Sequence, residues 1–186
     1  VAAFNTLSVT FMPLPFTTFT PNTAELRLTL TKGGVAAEDE MQYFAAGVME
    51  HLHAITFLTF NTINSYKAFA KRNVQLKVGH DGLINLNKER LYFRVMDSAS
   101  CPYLTLATVI SAGLDGIKKK MSMPDKVQPL PKNLAEAIDA FESDLSFIKH
   151  VVSPEFLEHY VEHMINHNAR VEKAVTHEER QLYFFV

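Results

Sequence analysis

Cysteine is nearly missing from this chain of 186 residues: Cys101 is the only one. A single thiol excludes an internal disulfide and fits a reducing intracellular compartment, either cytoplasm or mitochondrial matrix. Long apolar runs are missing too. The longest, around residues 54–60, is far short of the roughly 20 residues a membrane helix needs, so no membrane insertion is expected. An excess of positive charge is missing as well. The formal net charge is -2, and the one basic run is Lys118-Lys119-Lys120, which argues against a nucleic-acid partner. The chain also lacks an initiator Met and a signal-peptide pattern, opening on Val1-Ala2-Ala3-Phe4. The expectation is that something precedes Val1 or that the chain was processed. No internal repeat, low-complexity stretch, phosphate loop, G-x-S-x-G elbow or zinc-type cysteine pattern occurs.

What is present is enough for one domain with a full core: 47% apolar and 20% charged residues. Residues 6–12 read as a buried strand ended by Pro13 and Pro15. Residues 23–31 alternate, with Ala24, Leu26, Leu28 and Leu30 on one face and Glu25, Arg27 and Thr29 on the other. That is a half-buried strand, stopped by Gly33-Gly34.

From Ala37 the period turns helical. Glu38, Asp39 and Glu40 supply an acidic first turn, and one largely buried helix is expected to about Phe60. A short helix follows in "NTINSYKAFAKR". Strands are expected at 74–79 and 89–95, with a turn at His80-Asp81-Gly82. The next helix opens at Cys101-Pro102, its apolar stripe being Tyr103, Leu106, Ala107, Ile110 and Leu114, with Gly113 and Gly116 near its end. Asn133 with Glu136 forms a capping-box start for a helix to about Val151. Ser153-Pro154 opens the last one. The class is α+β, an antiparallel sheet packed with helices. Residues 1–186 form a single domain, with 133–186 as its C-terminal helical segment.

Several groups invite a chemical reading. His159, His163 and His167 recur every four residues on the last helix and would suit a metal, but the packing stripe Phe156, Leu157, Tyr160, Val161, Met164 and Ile165 leaves them at a solvated edge. His51 and His53 do not face each other on a helix and read as core or surface residues. Cys101 lies at a helix start with no neighbouring base. The remaining group is a pair of polar strand faces: Glu25, Arg27, Thr29 and Arg90, Tyr92, Arg94. Each reads first as a solvated sheet face. If the two adjoin, Glu25 would pair with an arginine, giving a salt-bridge cluster or a pocket for an anion.

The order of the motifs resembles the glutamine synthetase family. "LSVTFMPLPF", "AAGVMEHLHAITFLTFNTINSYK", "RLYFRVMDSASCPYLTLATVISAGLDGI", "LPKNLAEAIDAFESD" and "VTHEERQLYFF" are each similar to family segments in the same order. The likeness covers the later part of the family's catalytic domain. The N-terminal β-grasp domain and the early catalytic stretch, which carries most metal-binding glutamates, have no counterpart.

By that resemblance Arg90 and Arg94 match an arginine pair that contacts nucleotide phosphates and substrate, while Tyr92 replaces the metal-binding glutamate between them. Glu25 stands for a metal-binding histidine, so it remains a weak metal candidate, and Arg27 for a nucleotide-contacting one. Thr20 and Pro21 replace a substrate-holding Asn-Gly pair. Asn64, Ser65, Tyr66 and Lys67 keep the family's substrate motif, but Ala68 replaces its arginine. The loop that closes the site is shortened, and Leu83 falls where another arginine belongs.

Metal-assisted phosphoryl transfer needs a cation between phosphates in a closed, charged site. With so many parts replaced, the expectation is a degenerate, pseudoenzyme-like domain: a non-catalytic structural or interaction subunit with no cofactor. Its partners would be other protein subunits, in a hetero-assembly or a homo-oligomeric ring of the cytoplasm or the mitochondrial matrix. Two alternatives stay open. One is a fragment of a divergent ATP-dependent ligase joining an amine to a γ-carboxylate. The other is a regulatory pseudoenzyme that binds ATP. Only these bring in Mg and ATP.

Overall fold

The computed structural model describes residues 10–72, 82–126 and 128–173. The chain divides into two compact units, Val1–Val152 and Ser153–Val186. In the first, the order is β1 (Leu26–Thr29), β2 (Thr31–Lys32), β3 (Val35–Ala36), α1 (Glu38–Glu50), α2 (Leu52–Thr59), α3 (Ile63–Lys71), β4 (Ile84–Leu86), β5 (Arg90–Phe93), α4 (Pro102–Lys119), α5 (Leu134–Ser143) and α6 (Leu145–Val151). The second unit holds α7 (Pro154–Lys173). The architecture is α+β, as the patterning predicts.

Alternation sets the sheet. β1, β5 and β4 run antiparallel in that order, with Leu28 opposite Leu91 and Leu26 opposite Phe93. Leu91, Phe93 and Val95 point inward and are fully buried, which leaves Arg90, Tyr92 and Arg94 on the other face. β4 was not expected. It exists because Asn87 caps a tight reversal, its side-chain oxygen accepting from Glu89 and Arg90 N–H at 3.1 and 2.8 Å. Gly33 and Gly34 do more than stop a strand. With φ of +59° and +84° they turn β2 back onto β3, a conformation L side chains resist.

Three expectations need correction. Residues 10–12 form no strand, and Phe11 and Met12 are exposed. Side chains hold that segment instead: Asn64 pairs with both backbone groups of Leu14, at 2.7 and 2.9 Å. Residues 6–9, and the expected strand at 74–79 with His80-Asp81, lie outside the described residues. The long helix of 37–60 breaks at His51, and the helix of 133–151 breaks at Asp144.

The third correction concerns α4. Its expected core stripe faces outward, leaving Tyr103, Ile110 and Leu114 exposed, while Leu104, Thr105, Thr108, Val109, Ala112, Gly113 and Gly116 are buried. The reason is close helix packing. A Cβ built on Gly47 of α1 would meet Ala112 O at 2.2 Å and Gly116 N at 2.6 Å. Gly113 and Gly116 are therefore contact residues, not terminators. The helix ends at Lys120, in the left-handed region at φ 49°.

The caps expected at Asn133 and Ser153 form, and Thr62 adds one that was not expected. Thr62 caps α3 by accepting from Ser65 N–H at 3.1 Å. Asn133 accepts from Glu136 N–H at 2.9 Å, and Glu136 reaches back to Lys132 N–H. Ser153 accepts from Phe156 N–H at 3.3 Å. α1 lies on α4 and α2 on α5, around Met41, Phe44, Phe57, Phe60 and Phe141. None of the helices among the described residues is long and apolar enough to cross a membrane.

Candidate functional site

The two polar strand faces do adjoin. Arg27 on β1 sits opposite Tyr92 on β5, and Thr29 opposite Arg90. Glu25, just before β1, extends one carboxylate across the pair. Oε1 accepts from Arg27 Nε and Oε2 from Arg94 Nε, each at 2.5 Å. The Arg94 guanidinium also donates to Gly82 O at 3.0 Å. Tyr92 lies between the two cations, 5.7 Å from Arg27 and 5.9 Å from Arg94, ring centroid to guanidinium carbon. That spacing is within cation–π range. The hydrogen bond from Arg27 pulls the Glu25 carboxyl below its ordinary value; burial pushes the other way, and Arg94 adds to the lowering.

Two guanidinium groups therefore share one carboxylate supplied by the chain itself. Arg90 is left out. Its side chain is exposed, at the far end of the face, with no ion pair among the described residues. As a metal site the face fits poorly. Its single carboxylate has both oxygens accepting from cations, and a phenol is a weak partner for magnesium. Among the described residues no group of three or more His, Cys, Asp or Glu side chains could hold a metal ion. That applies equally to His159, His163 and His167, all exposed on α7.

The motif Asn64-Ser65-Tyr66-Lys67 opens α3 and is divided by its helical geometry. Asn64 ties down Leu14, buried Ser65 donates its N–H to the Thr62 cap, Tyr66 packs edge-on to Phe60 with centroids 6.1 Å apart, and Lys67 faces solvent. Ala68 is fully buried, as is Leu83 to within 2%. One turn further on, Lys71 donates to the carbonyls of Thr17 and Phe19, and Arg72 donates to Asn22 O at 2.7 Å. Thr18, Thr20, Pro21, Thr23 and these two cations line an open cavity of about 380 Å³. Among the described residues Arg72 Nε and Asp97 Oδ2 are buried without hydrogen-bond partners. Burial raises the Asp97 carboxyl and lowers Arg72.

A further cluster escaped the sequence reading. His51 is buried, with Nδ1 2.6 Å from Asp144 Oδ2 and Nε2 3.1 Å from Asp115 Oδ2. Its ring stacks on Phe147 at 3.8 Å. Asp115 also accepts from Lys119 at 2.7 Å. The two helix breaks, at His51 and Asp144, thus meet each other over α4. The available signal was a polar residue within an otherwise apolar helix; nothing nearby in sequence named its partner, 93 positions away. Beside the cluster an open cavity of 560 Å³ runs between α4 and α6.

Comparison with known proteins places these features. The family model described as glutamine synthetase, catalytic domain, matches residues 1–183. A glutamine synthetase of Thermococcus kodakarensis is 27% identical, covering all of this chain and 52% of the relative. That of Salmonella typhimurium is 26% identical, over 96% of this chain and 46% of the relative. Among solved structures, apo GmaS superposes with a TM-score of 0.82 at 23% identity, covering 98% of this chain and 49% of that one. Plasmodium falciparum glutamine synthetase gives 0.83 at 20%, with shares of 94% and 49%. These two show the fold. The chain spans about half the length of the curated relatives it matches. The Thermococcus alignment runs over 233 positions against 186 residues, so that relative carries segments within the matched stretch that this chain lacks.

Proposed function

The chain belongs to the glutamine synthetase family through its catalytic domain, and from that premise we propose that it is a non-catalytic structural or interaction subunit of a larger protein assembly. One observation carries the reading. The carboxylate of Glu25 already bridges Arg27 and Arg94, where the family resemblance puts contacts to nucleotide and substrate. An incoming phosphate would have to displace a tethered carboxylate that bonds two guanidiniums at once. Tyr92 supplies aromatic surface in place of metal-binding oxygen. The retained Asn64 bonds the backbone of Leu14 and the retained Ser65 bonds the Thr62 cap, which are folding roles. No Mg or ATP is required on this reading, and the partners are other protein chains. The single thiol, exposed Cys101, suits cytoplasm or mitochondrial matrix.

A second reading keeps one observation of its own. Arg90 is exposed and makes no ion pair among the described residues, so an ATP-binding regulatory form, or a ligase fragment completed by another chain, would find a cation there. The test is calorimetry with Mg-ATP on the native assembly, alongside an assay for ATP-dependent γ-glutamyl amide formation. Neither heat nor product is expected. Turnover sinks the non-catalytic reading, and magnesium-dependent nucleotide binding without turnover, abolished by Arg90→Ala and Arg94→Ala, replaces the structural role with the regulatory one.

A further inference from the structure

α4 is amphipathic in an unusual sense, because it has two packing faces and only one is used. The buried face consists of small residues. Gly113 and Gly116 let α1 approach so closely that added Cβ atoms would meet the Phe44 ring at 2.1 Å and Tyr43 O at 2.1 Å. That contact fixes the rotation of the helix about its own axis. The opposite stripe, Tyr103, Ala107, Ile110 and Leu114, has helical spacing and large side chains, yet Tyr103 is 82%, Leu114 56% and Ile110 39% exposed. The row runs over residues 103–114, about 16 Å of helix. Single exposed apolar residues mean little, but a row at i, i+4, i+7 and i+11 is the pattern of a helix-in-groove contact.

The row does not end on a flat surface. Leu114 lines the 560 Å³ cavity, whose other walls include Phe147, His150, Asp115 and Lys118. The carboxylates there are already engaged: Asp115 by His51 and Lys119, Asp144 by His51. Lys118 and Lys120, at the same end, make no ion pair among the described residues. The apolar row therefore terminates in unpaired positive charge beside an open, partly apolar hollow.

We propose that this face of α4 is the docking site for an amphipathic helix of a partner protein, apolar along the side that meets Tyr103, Ile110 and Leu114, with carboxylates where it passes Lys118 and Lys120. A large apolar side chain of that helix enters the hollow beside Leu114. The charge complementarity selects an acidic helix and sets its direction along α4. The proposal rests on the reading of the chain as an interaction subunit, and supplies the surface it works through.

The experiment places a photo-crosslinking amino acid at Tyr103, and separately at Ile110, in the native assembly, and sequences the crosslinked peptides. Both positions are expected to capture one helical segment of one partner, at residues seven or eight apart, with Asp or Glu near its Lys118 end. Lys118→Glu with Lys120→Glu is expected to cut the crosslink yield at least tenfold, and Lys in place of the partner's acidic residues to restore it. Charge reversal in the last turn of α4 opposes the helix dipole and lowers the melting temperature by a few degrees at most, so a melt of the variant, read beside the crosslink, separates lost docking from unfolding.

Capture of a second copy of this chain, of no protein, or of two unrelated segments overturns the proposal. So does unaffected crosslinking after charge reversal. Flotation of the wild-type chain, but not of the lysine variant, with 7:3 phosphatidylcholine–phosphatidylserine vesicles replaces the partner helix with a membrane. Mg-ATP turnover with the crosslinks intact removes the non-catalytic reading and leaves the docking site standing.

Discussion

At the scale of residues, Glu25 decides what the polar face can do. Arg27 and Arg94 would repel across Tyr92 without a counter-charge, and the chain provides one from the strand end beside them. Glu25→Ala would leave both guanidiniums facing an aromatic ring and solvent. The expected outcome is a new anion site: phosphate raises the melting temperature of the variant more than chloride at matched ionic strength, but not that of the wild type. Thermal melts in the two salts check this. Equal behaviour of the two proteins would mean that the guanidiniums relax apart when released. The alternation of "TAELRLTL" and "ERLYFRV" made these faces legible in the sequence, because side chains on a strand must alternate. Which cation Glu25 would hold was not legible. Register puts Arg27 opposite Tyr92 and Arg90 out of reach, and register is a property of two strands together.

Among the elements, glycine shows how differently one residue type can act. Gly47→Ala puts a Cβ against backbone atoms of α4, 2.2 Å from Ala112 O and 2.7 Å from Gly116 Cα. Backbone cannot step aside as a side chain can, so α1 and α4 must separate. The expected cost is about 3 kcal/mol or more. Gly33→Ala meets nothing within 4 Å but must hold φ at +59°, costing about 1 kcal/mol. Urea unfolding of the two variants should therefore rank them clearly, and equal losses would remove the packing account of α4.

The same contact explains the misplaced stripe. Amphipathic reasoning assigns the core to the larger apolar side chains. Here the small residues were selected for contact, because dispersion between closely approaching backbones favours them. The caps at Asn133 and Ser153 were foreseeable, since a cap bonds residues two or three positions away.

Across the first unit as a whole, charge ties distant elements together. His51 at the α1–α2 break, Asp115 on α4 and Asp144 at the α5–α6 break form one buried network. Burial pushes the Asp115 carboxyl up, but hydrogen bonds from Lys119 and His51 more than offset it, leaving it below its ordinary value of 3.8. A carboxyl with a depressed folded-state value adds stability above its unfolded value and loses it as pH falls through the folded one. Glu25 is depressed as well. Asp97 runs the other way. Burial raises it, so its contribution falls as pH rises through its titration. The expected outcome is an acid limb, below the ordinary carboxylate range, that is shallower in Asp115→Asn than in the wild type. Melting temperatures across that range, compared at constant ionic strength, measure it. An unchanged limb would show that Asp115 does not couple folding to protons.

The amino-acid sequence by itself determined the class, the alternating strands β1 and β5, the starts of α4, α5 and α7 with the caps at Asn133 and Ser153, and the family. Each depends on residues near one another along the chain or on an ordered set of motifs. Tertiary structure alone decided which face of α4 is buried, where the two long helices break, and what Arg94 holds. His51 and Asp144, or Glu25 and Arg94, come together only after helices have packed and strands have paired, and no local pattern encodes a distance between residues 93 or 69 positions apart.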